Sequence, residues 1–159
     1  MAVHAPIDAR ILVVGAGAGA ELAALAESGG PEWRFDAVDP SAAMLDRARE
    51  RLDAQARSRV RFHATPLSAF CADGAHHLAL SVLVSHFIAD DGARAAYFAD
   101  LHCALRPGGV ALIADLSAAE ADPDQSLYRQ WLSDQGWPAE EEEERAAQLR
   151  ARTHPLTEE

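Results

Sequence analysis

The sequence predicts a doubly wound α/β domain, a parallel sheet sandwiched between two layers of helices. Three observations predict it. Short apolar, β-branched runs alternate with segments of helical spacing, and no stretch repeats another. The first run, Ile11–Val14, ends in glycines at alternate positions, Gly15, Gly17 and Gly19. The fourth, Leu78–Val84, is almost continuously apolar, as a central parallel strand covered on both faces must be. At 159 residues and 49% apolar content the chain has length for one domain and material for a real core.

The elements follow in order. Ile11–Val14 is the first strand, and Ala18–Glu27 an alanine-rich helix stopped by Ser28-Gly29-Gly30-Pro31. Trp33–Val38 is the second strand. Asp39-Pro40-Ser41 offers a cap for a helix over Ala42–Ala54, whose apolar face carries Met44, Leu45, Ala48 and Leu52. Val60–Ala64 is the third strand and Leu78–Val84 the fourth. A helix over Ala93–Leu105 leads through the turn Arg106-Pro107-Gly108-Gly109 into a fifth strand, Val110–Leu116. Residues 1–117 thus form the α/β body and 118–159 a helical extension of the same domain. Within the extension, helices are expected over Gln125–Gln135 and Pro138–Arg152. The second opens on Glu140–Glu144 and turns basic at Arg145, Arg150 and Arg152, a charge order that suits the helix dipole and reads as a solvated face.

Net charge is −11 and all 14 basic residues are Arg, so an acidic body disfavours a nucleic-acid partner. Cys71 and Cys103 make neither a disulfide framework nor a CxxC pair, no apolar run reaches membrane-spanning length, and the N-terminus lacks a signal-peptide pattern; a cytoplasmic, membrane-free protein is expected. The histidines show no metal-ligand spacing, and no metal is expected. Neither a G-x-S-x-G elbow nor a G-x-x-x-x-G-K loop is present, which removes the hydrolase and nucleoside-triphosphatase readings.

Gly15-Ala16-Gly17-Ala18-Gly19-Ala20 fits two cofactor loops at once. As G-x-G-x-x-A it suits a nicotinamide or flavin dinucleotide, and as G-x-G-x-G it suits S-adenosylmethionine. Asp39, 24 residues after Gly15, stands where a carboxylate accepts both ribose hydroxyls, and the same side chain is placed to cap the next helix. Val38-Asp39-Pro40-Ser41-Ala42-Ala43-Met44-Leu45, Ser81-Val82-Leu83-Val84-Ser85-His86-Phe87 and Leu105-Arg106-Pro107-Gly108-Gly109 then follow in order. With the glycines, these motifs resemble those of class I S-adenosylmethionine-dependent methyltransferases over residues 11–116, a Rossmann-like fold.

The resemblance implies S-adenosyl-L-methionine as cofactor, with S-adenosyl-L-homocysteine as product, and a small-molecule methyl acceptor. It implies that Gly15, Ala16, Gly17 and Gly19 approach the methionine and ribose parts, and that Asp39 binds the ribose. Pro40 and Met44 would line the adenine slot, Ala64 and Thr65 would close its other side, and Ser81 and Val82 would face the sulfonium. The chain departs from the family at Val13 and His77, where acids are usual. It departs also at its ends: no lid helix precedes the first strand, and no antiparallel strand pair completes the sheet. A trimmed chain, or one whose exposed sheet edge is covered by a neighbouring helix or a second copy, is therefore expected. His86, just past the fourth strand, is the candidate general base. Asp115, Tyr128 and Trp131 are candidate substrate contacts. A cofactor-holding module without catalysis, or an NAD-dependent oxidoreductase, are the alternatives.

Overall fold

The computed structural model describes residues 5–70, 73–116, 144, 148 and 151–154. Five strands form one parallel sheet: β1 (Arg10–Val14), β2 (Arg34–Asp39), β3 (Val60–Ala64), β4 (His76–Val82) and β5 (Leu105–Ala114). Their order is β3-β2-β1-β4-β5, so the chain leaves β1 toward one edge, then returns past it to build the other side. The reversal falls between β1 and β4, paired in the register Val13↔Leu80 and Val14↔Ser81. The carboxyl ends of two such strands diverge into opposite crossovers and leave a crevice there. This is the doubly wound architecture expected from the alternating pattern.

β1 is buried throughout its apolar length because it lies at the centre of the sheet. Ile11 and Val13 pack with Phe35 and Ala37 of β2 and with Leu22 of α1 (Ala20–Ser28) and Leu45 of α2 (Ala42–Arg51). The glycines after Ser28 stop α1 as expected, the Gly29 N–H reaching back to the Leu25 carbonyl at 2.9 Å. The single helix expected over Ala42–Ala54 is two. Leu52 is extended and Asp53 caps a separate α3 (Ala54–Ser58), accepting the Ala56 N–H at 2.7 Å. A short polar residue that bonds its own backbone two or three residues on competes with helix continuation. A further helix, α4 (Ala93–Ala104), joins β4 to β5.

β5 begins before the Arg106–Gly109 turn rather than after it. His76 pairs with Leu105 and Leu78 with Val110, so the Pro-Gly-Gly segment is an irregularity inside the strand, and β5 stops at Ala114. Proline and glycine are accommodated because β5 lies at the sheet edge. Val110, Leu112 and Ile113 are 37–44% exposed along it.

Sequence reading missed a buried ionic cluster that ties the sheet together. Asp36, in the middle of β2, accepts hydrogen bonds from His63 Nε2 of β3 at 2.8 Å and from His76 Nε2 of β4 at 3.0 Å, and Arg10 of β1 stands 3.5 Å away. His76 is fully buried, and its other ring nitrogen faces the Ala104 carbonyl at 3.0 Å. Burial alone would raise the Asp36 pKa, but the hydrogen bonds from His76 and His63 outweigh it and hold the carboxyl at about 2.

By compactness the chain divides into Met1–Val82 with Ala95–Ala114, and Leu83–Arg94 with Asp115–Glu159. In this second unit, a 3₁₀ turn spans Ser85–Phe87. The buried Arg94 guanidinium donates to the Ile88 carbonyl at 2.9 Å and to the His154 carbonyl. The expected helix over Gln125–Gln135 lies outside the described residues. The one over Pro138–Arg152 is helical at its described positions 144, 148, 151 and 152.

Candidate functional site

Residues Gly15 to Gly19 carry β1 into α1, and the acid that closes β2 holds this loop. Gly17 adopts a φ of 49°, open to glycine at little cost, and its N–H donates to Asp39 Oδ2 at 2.9 Å. Asp39 Oδ1 accepts the Ser41 N–H at 2.8 Å, so the same carboxylate also shapes the entry to α2, where Ser41 caps Met44. Asp39 is 9% exposed. Each of its oxygens takes one backbone N–H and keeps a further lone pair, enough to accept two hydroxyl protons from outside the chain.

The Met44 side chain closes on the loop, its Cε 3.7 Å from where a Gly17 Cβ would lie. Pro40, at the end of β2, and Ala64, at the end of β3, are both exposed, and Thr65 follows with its N–H bonded to the His63 carbonyl. In a parallel sheet these positions share the carboxyl end with the glycine loop, so the candidate nucleotide contacts come to one end of one unit.

Three more of the expected contacts are engaged within the chain. The Ala16 side chain is buried at 1% exposure, and only its backbone belongs to the loop, donating to the Val38 carbonyl. Gly19 is buried against α2, where a Cβ would come 2.8 Å from Ala48 Cβ, so its smallness serves helix packing. Ser81 is fully buried with its hydroxyl bonded to the Tyr97 hydroxyl at 2.7 Å. Alternation along β4 turns its neighbours Leu80 and Val82 to the opposite face. Those two line a narrow crevice with Val13, Val14 and Gly15 of the β1 end. Glu21, in the first turn of α1, completes its wall.

In the second unit His86 is 2% exposed and its Nδ1 bonds the Asp115 carboxylate. Asp115 also accepts from the Ser85 N–H at 2.6 Å, the Ser85 hydroxyl, the His86 N–H at 3.2 Å and the Leu116 N–H at 3.0 Å. Burial would raise the Asp115 pKa, but the Ser85 and His86 hydrogen bonds prevail and lower it. An ionised carboxylate at Nδ1 fixes the tautomer that leaves the Nε2 lone pair as acceptor. No described residue bonds Nε2. Asp115, expected to touch substrate, is bonded here to Ser85, His86 and Leu116. Tyr128 and Trp131 lie outside the described residues.

A family model described as a methyltransferase domain matches residues 11–109. Comparison with curated proteins gave no match. Among solved structures, an S-adenosylmethionine-dependent methyltransferase from Mesorhizobium loti is similar, with a TM-score of 0.61 and 26% identity, over 73% of this chain and 50% of that one. A 1,6-didemethyltoxoflavin-N1-methyltransferase from Burkholderia thailandensis, solved with 1,6-didemethyltoxoflavin and S-adenosylhomocysteine, has a TM-score of 0.57 and 29% identity, over 69% of this chain and 46% of that one. The [4+2]-cyclase SpnF shares the fold at a TM-score of 0.56 and 20% identity, over 66% of this chain and 38% of that one. This chain spans half or less of the length of each.

Proposed function

The chain belongs to the methyltransferase domain family, and from that premise we propose that it binds S-adenosylmethionine and transfers the methyl group to a small-molecule acceptor. One observation carries the reading. A nearly buried carboxylate, Asp39, is clamped to the backbone of the glycine loop at the carboxyl end of a parallel sheet, with acceptor capacity to spare. Such an acid suits the two hydroxyls of a ribose. Pro40 and Met44 supply apolar surface for an adenine on one side of Asp39, with Ala64 and Thr65 on the other. Gly15, Gly17 and Val82 border the methionine half.

Bound there, the cofactor supplies a sulfonium-activated methyl group, whose transfer depends on alignment and exclusion of water more than on acid–base help. We assign His86 the proton of the acceptor, on the strength of a tautomer held by Asp115 that presents Nε2 as the base. The Burkholderia thailandensis structure holds 1,6-didemethyltoxoflavin and S-adenosylhomocysteine, and a small-molecule acceptor is our proposal here. An edge strand open at Val110, Leu112 and Ile113 supports a second copy of the chain as its cover, which a monomer by light scattering would refute. Among the described residues no helix is long and apolar enough to cross a membrane, and the cysteine usage supports the cytoplasm as compartment.

Calorimetric titration with S-adenosylhomocysteine tests the reading. We expect micromolar binding, weakened at least tenfold by Asp39→Ala with little change in melting temperature. Protection by NAD in place of S-adenosylhomocysteine would overturn the proposal. Tight binding without turnover on any of a panel of acceptors would reduce the chain to a cofactor-holding module.

A further inference from the structure

At the amino ends of the strands, away from the glycine loop, hydrogen-bond donors gather without an acceptor. Arg10 opens β1, His77 is the second residue of β4 and Arg106 the second of β5. The backbone N–H of Arg10 donates to His77 Nδ1 at 3.0 Å. A backbone N–H cannot turn away, so Nδ1 keeps its lone pair and the ring proton sits on Nε2. Yet Nε2 lies 2.9 Å from Nη1 of Arg106, and a guanidinium offers donors alone. Two N–H groups therefore face one another, and this contact is no hydrogen bond. Arg106 forms no ion pair with any described residue. The nearby acids are spent elsewhere, Asp73 on Arg10 at 2.9 Å and Asp36 on His63, His76 and Arg10. His77 and Arg106 both line a cavity of about 240 Å³, with Ala5, Pro6, Pro107 and Val110 among its other walls.

We propose that this cavity binds an oxyanion, the carboxylate or phosphate group of a small ligand, between His77 Nε2–H and the Arg106 guanidinium. An oxyanion that accepts from both replaces a donor–donor contact with two hydrogen bonds, one of them charge-assisted. It also supplies the counter-charge that Arg106 lacks. The planar fork of a guanidinium matches two oxygens of one such group. Pro6, Pro107 and Val110 suit a short apolar body attached to it, and the volume limits the ligand to a small molecule. A chain of net charge −11 repels anions in general, so binding here depends on this pair and not on the field of the whole protein. The cavity lies at the opposite end of the strands from Asp39, and the proposal is independent of the methyl-transfer reading.

Titration of the full chain with inorganic phosphate, and separately with acetate, tests the site, with sodium chloride at matched ionic strength as the reference. By NMR we expect saturable shifts of the Gly108, Gly109 and Val110 amides beyond any seen with chloride. The tighter of the two probes tells whether the site prefers a phosphate or a carboxylate. Arg106→Gln removes the charge and should weaken that probe by about tenfold or more. Arg106→Lys, which keeps the charge and loses the fork, should fall between the two. His77→Asp places a carboxylate of the chain's own where the acceptor is missing. It should abolish the response to both probes and raise the melting temperature measured without them. Shifts no larger than those with chloride, or full affinity retained in Arg106→Gln, would mark an adventitious ion only and overturn the site. A His77→Asp chain that still binds the probe as tightly would overturn it too.

Discussion

At the scale of single residues, the two histidine–carboxylate arrangements differ in what they leave available. His76 spends both ring nitrogens inside the protein, on Asp36 and on the Ala104 carbonyl, and is structural. His86 spends one, on Asp115, and the proposed proton transfer draws on that difference. We expect His86→Gln to lower kcat by ~10²–10⁴, the usual contribution of a positioned base, with the Kd of S-adenosylhomocysteine unchanged. Asp115→Asn should lower kcat in the same direction, since an amide that donates to Nδ1 imposes the opposite tautomer. Turnover that falls only in step with melting temperature would make the pair a packing device. Asp39 was legible in the sequence because its neighbours are local: an apolar run, a cap and a glycine loop one strand–helix unit away. The surroundings of Asp115 were not, because they are defined by what faces it in space. Asp115 reads as an end-of-strand acid until Ser85 and His86, 30 and 29 positions earlier, are folded against it.

Among elements, those with a strong period were legible and those set by one competing side chain were not. The five strands and the helices beginning near Ala20, Ala42 and Ala93 follow from alternating apolar runs. The break at Leu52-Asp53 and the irregular start of β5 follow from a capping carboxylate and from edge position, which periodicity does not encode. The α1–α2 contact shows how closely these elements are fitted. Gly19 begins α1 at a φ of 78°, and a Cβ there would lie 2.8 Å from Ala48 Cβ and 3.0 Å from Ala48 Cα. Gly108 has a nearly equal φ of 77° with nothing within 4 Å of such a Cβ. Chemical denaturation should show Gly108→Ala costing about 1–2 kcal/mol, the left-handed backbone term alone. Gly19→Ala should cost about 2–4 kcal/mol, since it adds a steric clash with α2. Equal losses at the two sites would mean that α1 and α2 are not in the contact described.

Over the whole α/β body, one charge cluster connects four of the five strands. Arg10 comes from β1, Asp36 from β2, His63 from β3 and His76 from β4, and His76 also reaches the carbonyl just before β5. Asp36 keeps His63 and Arg10 when His76 is removed, so His76→Leu, which leaves one carboxylate oxygen and the Ala104 carbonyl without this partner, should destabilise the fold by roughly 1–3 kcal/mol. The cluster also gives stability a pH dependence whose sign is fixed. The Asp36 carboxyl titrates at about 2 in the folded chain against 3.8 when free of these partners. The unfolded state therefore takes up the proton first as the solution is acidified. The contribution is fully present above pH ~4 and is lost as pH falls toward 2, on the order of 2 kcal/mol in all. Acid also neutralises the other carboxylates of a chain with net charge −11, so the Asp36 share has to be isolated by difference. Asp36→Asn should start less stable at pH 7, and its unfolding free energy in urea should decline less than that of the unsubstituted chain between pH 5 and pH 2.5. Parallel declines for the two proteins would show that Asp36 is not held ionised by the histidines.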